Sequence, residues 1–323
     1  MSDTTTLRVG LAGLSEAAAQ DLLPALRNAG ADHGARVVAV SAPDRDRVRE
    51  LLLDDSPVAI YPSGHALLAG SELDGLVIAD AEDAPAGVAQ RALRRGVHVF
   101  TQAPALAGDA QSLQRLGATA MRESLGFHVE HVPSRQLTSR DELFVFSGLG
   151  PVAGIRATWR GPDVALDAPG LVGLTTPAVT LLGAGRLDPQ DVQRIGDGVR
   201  ARWTTPDGRP VEIAVDPASS LPPGGEARLS AYSREHARLD LPLALPGAIP
   251  APAPRLLRGV LWHPRHGAVL VAPPSAASVC LRQALEDWFA ACRSGRSAAP
   301  IQACAQLAAQ LAGDLALALG HGG

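Results

Sequence analysis

The chain contains no lysine; all 29 of its basic residues are arginine. That absence removes every mechanism that needs a side-chain amine: no Schiff base, no lysine general acid and no phosphate-loop lysine. Cysteine is scarce as well. Cys280, Cys292 and Cys304 are all in the last segment, an odd number with no C-x-x-C pair and no nearby histidine cluster. No metal site is expected from them, and reduced, partly buried thiols are the plain reading. No apolar run reaches membrane-spanning length, and the start Met1-Ser2-Asp3-Thr4 lacks the basic residues and apolar stretch of a secretory signal. A cytoplasmic location is the expectation. A net charge of −4 gives no reason to expect nucleic acid or an anionic membrane as partner.

What is present is the make-up of a soluble globular protein. With 323 residues, 46% of them apolar, the chain is long enough for two domains with separate cores. Apolar or β-branched runs at 7–12, 36–41, 58–61, 75–80, 97–101 and 125–130 predict strands. Helices are expected over 16–28, with Pro24 predicting a kink or late break and Gly30 closing it, then from an N-cap at Asp44 to about Leu53, over about 84–95 and over about 109–123. Strands alternating with helices, with uninterrupted apolar centres, predict a doubly wound parallel sheet covered on both faces. The run 97–101 stops at Gln102-Ala103-Pro104, where proline forbids a further ladder bond. Strand tips of this kind face the mouth of such sheets, where chemistry is placed.

The texture changes near Leu149-Gly150-Pro151. A strand over 152–160 and a helical stretch near 176–182 lead into hairpins. Strands 199–204 and 210–215 flank Thr205-Pro206-Asp207-Gly208, strands 227–233 and 237–241 pair next, and 258–262 and 268–272 flank Pro264-Arg265-His266-Gly267. Hairpins in series predict an open antiparallel sheet with one face left for a partner or substrate. Residues 242–254 form a proline-rich connector, and two helices close the chain at about 276–294 and 301–319. The predicted class is α/β, with a doubly wound domain over 1–132 and an α+β domain over 133–323 whose last helices are free to pack back on the first.

Three phrases, in order and spacing, resemble the Gfo/Idh/MocA family of NAD(P)-dependent oxidoreductases. They are Gly96-Val97-His98-Val99 leading to Pro104, Leu149-Gly150-Pro151-Val152 with Ile155-Arg156-Ala157-Thr158-Trp159, and Ala284-Leu285-Glu286-Asp287-Trp288-Phe289-Ala290-Ala291 followed by Arg293-Ser294-Gly295-Arg296. The resemblance implies a Rossmann-like dinucleotide-binding domain, a substrate and dimerisation domain with an open antiparallel sheet, and a homodimer through that sheet. The departures are as informative. The family's loop G-x-G-x-x-G/A falls on Gly13-Leu14-Ser15-Glu16-Ala17-Ala18, preceded by Gly10. Ser15 replaces the glycine that lets backbone approach the pyrophosphate, although its hydroxyl can donate to phosphate, and Glu16 adds a negative charge close to where phosphate should sit. Ala42 stands where a carboxylate would grip the ribose. Ser41, Arg45 and Arg47 beside it suit a 2′-phosphate and point to NADP(H). The competing reading of Asp44-Arg45-Asp46-Arg47 is a solvated first helical turn with no ligand. Gln102-Ala103-Pro104 replaces Glu-Lys-Pro, so the proline remains and the amine is gone. The pattern D-x-G-x-H-x-x-D falls on Leu171 to Ala178, where only the glycine, Gly173, survives. Ordinary sugar or polyol dehydrogenase activity is not expected.

Hydride transfer needs positioning, and a nicotinamide supplies the rest. A carbonyl becoming an alkoxide demands a proton donor, whereas an imine protonated before attack is discharged by hydride. A lysine-free member of the family is therefore coherent as an imine reductase. The chain loosely resembles the thiazolinyl imine reductase branch through Arg95-Gly96-Val97-His98-Val99 leading to Pro104 and through Pro133-Ser134-Arg135, but Ala103 and Val132 stand where that branch places its proton donors. His128 and His131, at the end of the last parallel strand, are the titratable candidates for proton delivery, with Glu130 placed to orient His128; the competing reading is a hydrogen-bonded strand-end histidine. His98 reads as a packed core residue, and Trp159, Trp203 and Trp262 as core or dimer-face residues. Two functions follow. The first is an NADP(H)-dependent reductase with non-standard proton delivery, acting in biosynthesis on an imine or related electrophile, free or carrier-bound. Gly10, Gly13, Ser15, Ser41, Arg45, Arg47, Gln102 and Pro104 would surround its cofactor. The second is a cofactor-free member, a partner, a scaffold or a protein with a repurposed cleft, which loss at four motif positions favours.

Overall fold

Six short apolar runs pair side by side because their central side chains are buried on both faces: Val9, Leu11, Leu76, Val77, Val99 and Phe100 are each 1% exposed or less. The computed structural model describes residues 6–16, 18–52, 58–79, 83–102, 110–130, 151–161, 168–182, 186–217, 226–234, 236–243, 260–263, 267–270, 277–294 and 299–319. The chain divides into two units, residues 1–106, 111–132 and 276–302 in one, and residues 107–110, 133–275 and 303–323 in the other.

In the first unit β1 (Leu7–Ala12), β2 (Ala35–Ser41), β3 (Ala59–Tyr61), β4 (Gly75–Ile78), β5 (His98–Gln102) and β6 (Phe127–Glu130) form one parallel sheet in the order β3-β2-β1-β4-β5-β6. The connecting helices are α1 (Leu23–Asp32), α2 (Arg45–Leu52), α3 (Gly64–Gly70), α4 (Pro85–Arg94) and α5 (Ala110–Arg122). The expected kink at Pro24 takes a definite form. Residues Ala18–Leu22 make a π-helical turn, and α1 begins at Leu23, so Pro24 sits in the first turn, where its missing N–H costs nothing. Gly30 does not close α1. It lies inside the helix, where a Cβ would come within 2.8 Å of the Ala35 carbonyl, and Gly34, at φ +56°, makes the turn into β2. Helix α3 was not expected: with glycine at both ends and seven residues it has too little periodicity to register, yet Ser63 caps it by accepting from the Ala66 N–H at 3.2 Å.

Helix α7 (Ala277–Ser294) belongs to this first unit. Its inner face, Leu281, Ala284, Leu285, Trp288 and Phe289, joins one core with Val9, Leu11, Leu26, Val77 and Phe100. Trp288 meets Phe100 edge-on at 5.7 Å and tilts against Phe289 at 5.0 Å. Gly75 makes the room: a Cβ there would lie 2.8 Å from the Trp288 ring. Arg282 pairs with Asp32 at 2.7 Å, and Arg293 donates to the His33 carbonyl, tying α7 to the end of α1.

The second unit holds β7 (Val152–Gly161), α6 (Ala168–Leu182), β8 (Asp188–Ile195), β9 (Gly198–Thr204), β10 (Pro210–Pro217), β11 (Glu226–Ser233), β12 (Arg238–Leu243), β13 (Val260–His263), β14 (Gly267–Leu270) and most of α8 (Ala299–Leu319). The sheet order is β14-β13-β12-β11-β7-β10-β9-β8. The three expected hairpins form, and the turn at Thr205 closes with Gly208 at φ +82°. The sheet is mixed rather than purely antiparallel, because β7 and β10 run parallel. The strand β8 escaped sequence reading because its alternation is weak and most of it is exposed. Ile155, Ala157, Trp159, Val211, Ile213 and Trp203 are buried on one face, while Arg156, Arg202, Glu212 and Arg228 alternate onto the other. Trp262 is half exposed, at 51%.

Two outcomes are expected. Gly75→Ala drives a methyl into Trp288 and lowers stability by about 1–3 kcal/mol in urea unfolding. The second concerns His98, whose Nδ1 accepts the Gly126 N–H at 2.7 Å and must be unprotonated to do so. Burial pushes its imidazole below the usual range, with the Asp74 carboxylate opposing. A lowered folded-state value means that the unfolded chain takes up the proton first, so this contribution is complete above about pH 6.5 and is lost as pH falls through the folded value. His98→Asn keeps an acceptor at the δ position without titrating. It shrinks the fall in melting temperature between about pH 7.5 and pH 5.5.

Candidate functional site

Parallel sheets place ligands beyond the carboxyl ends of their strands where the order reverses, here between β1 and β4. At that point β1 passes into Gly13, whose φ of +78° suits glycine. The turn is pinned from β2. Gly13 N–H donates to the Ser41 carbonyl at 3.1 Å and to Ser41 Oγ at 3.2 Å, and Leu14 N–H donates to the same carbonyl at 2.9 Å. Ser15 then opens the helix: its Oγ accepts from Ala18 N–H at 3.0 Å and its carbonyl from Ala19 N–H at 2.9 Å. Strand, left-handed turn and helix N-terminus are all present, and this arrangement fits a dinucleotide pyrophosphate. Gly10 has a packing role, since a Cβ there would lie 2.7 Å from Leu73 and 2.9 Å from Leu67.

The set read as a 2′-phosphate site separates on inspection. Ser41 is fully buried and its hydroxyl serves the Gly13 turn. Asp44 caps α2, accepting from the N–H groups of Asp46 at 3.1 Å and Arg47 at 3.0 Å. The Arg45 side chain lies outside the described side chains. Arg47 is half exposed and doubly engaged, with Nη1 on Glu50 at 2.7 Å and Nη2 on Glu16 at 3.1 Å. Glu50 and Glu16 together raise the Arg47 guanidinium above its ordinary range. Glu50 did not figure in the sequence reading, although its place three residues after Arg47 on a helix was the available signal. The pairing with Glu16, from a different element, had no such signal.

At the far tips, Gln102 of β5 stands level with Glu130 of β6 and is partly exposed. Ala103, Pro104 and His131 lie outside the described residues. His128 is enclosed, at 1% exposure, with its ring stacked on Phe100 at 5.0 Å. Glu130 does orient it, with Oε2 at 2.9 Å from His128 Nε2, and is itself 3% exposed. Among the described residues, His128 Nδ1 has no hydrogen-bond partner. This imidazole is therefore an interior member of a His–Glu pair, not a side chain standing in an open cleft.

In the second unit, the phrase 171–178 lies within α6. Leu171, Thr175 and Ala178 within it are all buried. Thr175 Oγ1 donates to the Ala308 carbonyl at 2.9 Å and Thr176 Oγ1 to the Val172 carbonyl at 2.7 Å. No ionisable side chain occurs anywhere on α6. Among the described residues no group of His, Cys, Asp and Glu is placed to hold a metal ion, and no helix is long and apolar enough to cross a membrane. Cys280 and Cys292 form no disulfide, and burial pushes the Cys292 thiol up to about 12.

Residues 7–131 match the oxidoreductase family with an NAD-binding Rossmann fold. No curated protein matches the sequence. Among solved structures, the chain is similar to a dehydrogenase from Chromobacterium violaceum (TM-score 0.71, 20% identity, 97% of this chain and 95% of that one). It is also similar to the 3-ketoreductase KijD10 from Actinomadura kijaniata, solved with NADP (TM-score 0.69, 20% identity, 97% of each chain). A third is the UDP-N-acetylglucosamine 3-dehydrogenase GnnA from Acidithiobacillus ferrooxidans (TM-score 0.69, 17% identity, 98% of each chain). At these identities the likeness establishes the fold alone.

Because Ser41 Oγ serves the turn, Ser41→Ala should lower the stability of the ligand-free protein by about 1 kcal/mol in urea unfolding. A hydroxyl that only read a ligand would leave the ligand-free protein unchanged.

Proposed function

We propose, from the membership of residues 7–131 in the oxidoreductase family with an NAD-binding Rossmann fold, that the chain is an NADP(H)-dependent reductase acting on an imine or related electrophile. The observation that carries this reading is the Gly13 turn, locked to Ser41 and opening a helix N-terminus at the switch point of the sheet. Such a turn holds a dinucleotide pyrophosphate against backbone N–H groups. Arg47, with Arg45 beside it in sequence, supplies the positive charge for a 2′-phosphate. The bound nicotinamide would supply the hydride.

The choice of electrophile follows from what the chain lacks. It has no lysine, and α6 presents no acid or base. An alkoxide forming from a ketone would meet no lysine donor. A protonated imine arrives with its charge already in place and needs orientation more than acid catalysis. Gln102, neutral and partly exposed at the β5 tip, is a hydrogen-bonding group for that orientation. His128, oriented by Glu130, and His131, three residues later in sequence, are the candidates for proton delivery. The substrate is a small molecule or a carrier-bound intermediate. A homodimer would form through the second sheet, whose charged face carries Arg156 and Arg202 beside Glu212 at 3.1 and 3.0 Å.

A cofactor-free role has one specific observation in its favour: Glu16 sets a carboxylate at the helix N-terminus and joins it to Arg47. Titration of NADPH and NADH, followed by cofactor fluorescence or calorimetric heat, separates the two. Saturable binding with NADPH preferred, and a preference abolished by Arg45→Ala together with Arg47→Ala, is expected. Absence of saturable binding of either at millimolar concentration overturns the reductase reading.

A further inference from the structure

Glu16 and Arg47 come from elements 31 positions apart, the first from the turn that would hold the pyrophosphate and the second from the opening of α2 beyond the second strand. Their contact, at 3.1 Å, joins the turn after β1 to the first turn of α2. Glu50 lies on the same helix as Arg47 and moves with it, whereas Glu16 does not. The trio of one arginine and two glutamates carries one net negative charge. An incoming 2′-phosphate therefore meets an arginine already occupied by carboxylates. The bridge is exposed, at 49% and 64% of the two side chains, so it is readily exchanged and screened by salt. Of the three groups nearest the end of the second strand, Ser41 is committed to the Gly13 turn, which leaves Arg47 as the described cation on which a 2′-phosphate would sit.

We infer that Glu16 acts as an internal stand-in for phosphate, gating the site by holding Arg47 until a 2′-phosphorylated nucleotide displaces it. This rests on the reductase reading above. The ligand class it selects is the adenosine 2′-phosphate end of a dinucleotide, and the gate lowers affinity for it while leaving the 2′-hydroxyl form nearly unaffected.

The test is a titration of NADPH, NADH and adenosine 2′,5′-bisphosphate into wild type, Glu16→Gln, Arg47→Ala and the double variant, with thermal unfolding as the folding control. Glu16→Gln should tighten NADPH and the bisphosphate roughly two- to fivefold and leave NADH nearly unchanged. The gain should vanish in the Arg47→Ala background and should shrink as salt is raised. Equal tightening of NADPH and NADH that survives Arg47→Ala means that Glu16 acts on the pyrophosphate alone and overturns the gate. Unchanged affinity in Glu16→Gln, with wild type binding NADPH, overturns the gate and leaves the reductase reading standing. Absence of binding of all three probes by wild type and Glu16→Gln alike overturns both.

Discussion

The Ser41 carbonyl and hydroxyl accept three hydrogen bonds from Gly13 and Leu14, and through them the end of β2 dictates where β1 turns. A glycine at φ +78° with its N–H oriented by a buried serine has little freedom left. The direction of the following helix, the position of its N-terminus and the site of Glu16 all follow from that anchoring. Parallel strands make such a constraint affordable, because two adjacent carboxyl ends lie side by side with their next residues in reach. The geometry of this turn is thus a property of β1 and β2 together.

Around that anchor the charged groups pair with one another, Arg47 with Glu16 and Glu50. Ser15 accepts from the Ala18 N–H at the start of the helix, and Glu16 follows it. Gly13 and Leu14 donate to Ser41, Ser15 accepts from Ala18, and Glu16 pairs with Arg47. The opposite end of the sheet is treated differently. The tips of β5 and β6 bury a histidine and a glutamate against each other and against Phe100, a pairing that is tolerable in the interior because each supplies the other's hydrogen bond. On α6 the same pressure goes further, and threonine hydroxyls bonded to backbone carbonyls stand among buried leucine, valine and alanine.

Much of this was legible in the chain. Apolar runs placed all six parallel strands, turn residues placed three hairpins, and Asp44 announced the start of α2. What escaped had weak or cancelling signals. The helix α3 is too short and glycine-bounded for periodicity, and β8 is an exposed edge strand with little alternation. Gly30, taken as a terminator, is a packing glycine, because the need for close approach to Ala35 is set by a neighbour that sequence does not reveal.

The amino-acid sequence by itself determined the absence of lysine amine chemistry, since a chain without lysine has none in any fold, and it determined the parallel class of the first sheet, since the apolar pattern of each strand is a local property. Only the tertiary structure decided which polar residues face one another. Ser41 turned inward to Gly13, Arg47 outward to Glu16, and His128 under Glu130, and in each case the partners are brought together by strand order or helix placement. The physical reason is range. A hydrophobic period is written over a few residues, whereas a hydrogen bond across elements depends on ångström placement of segments far apart in the chain.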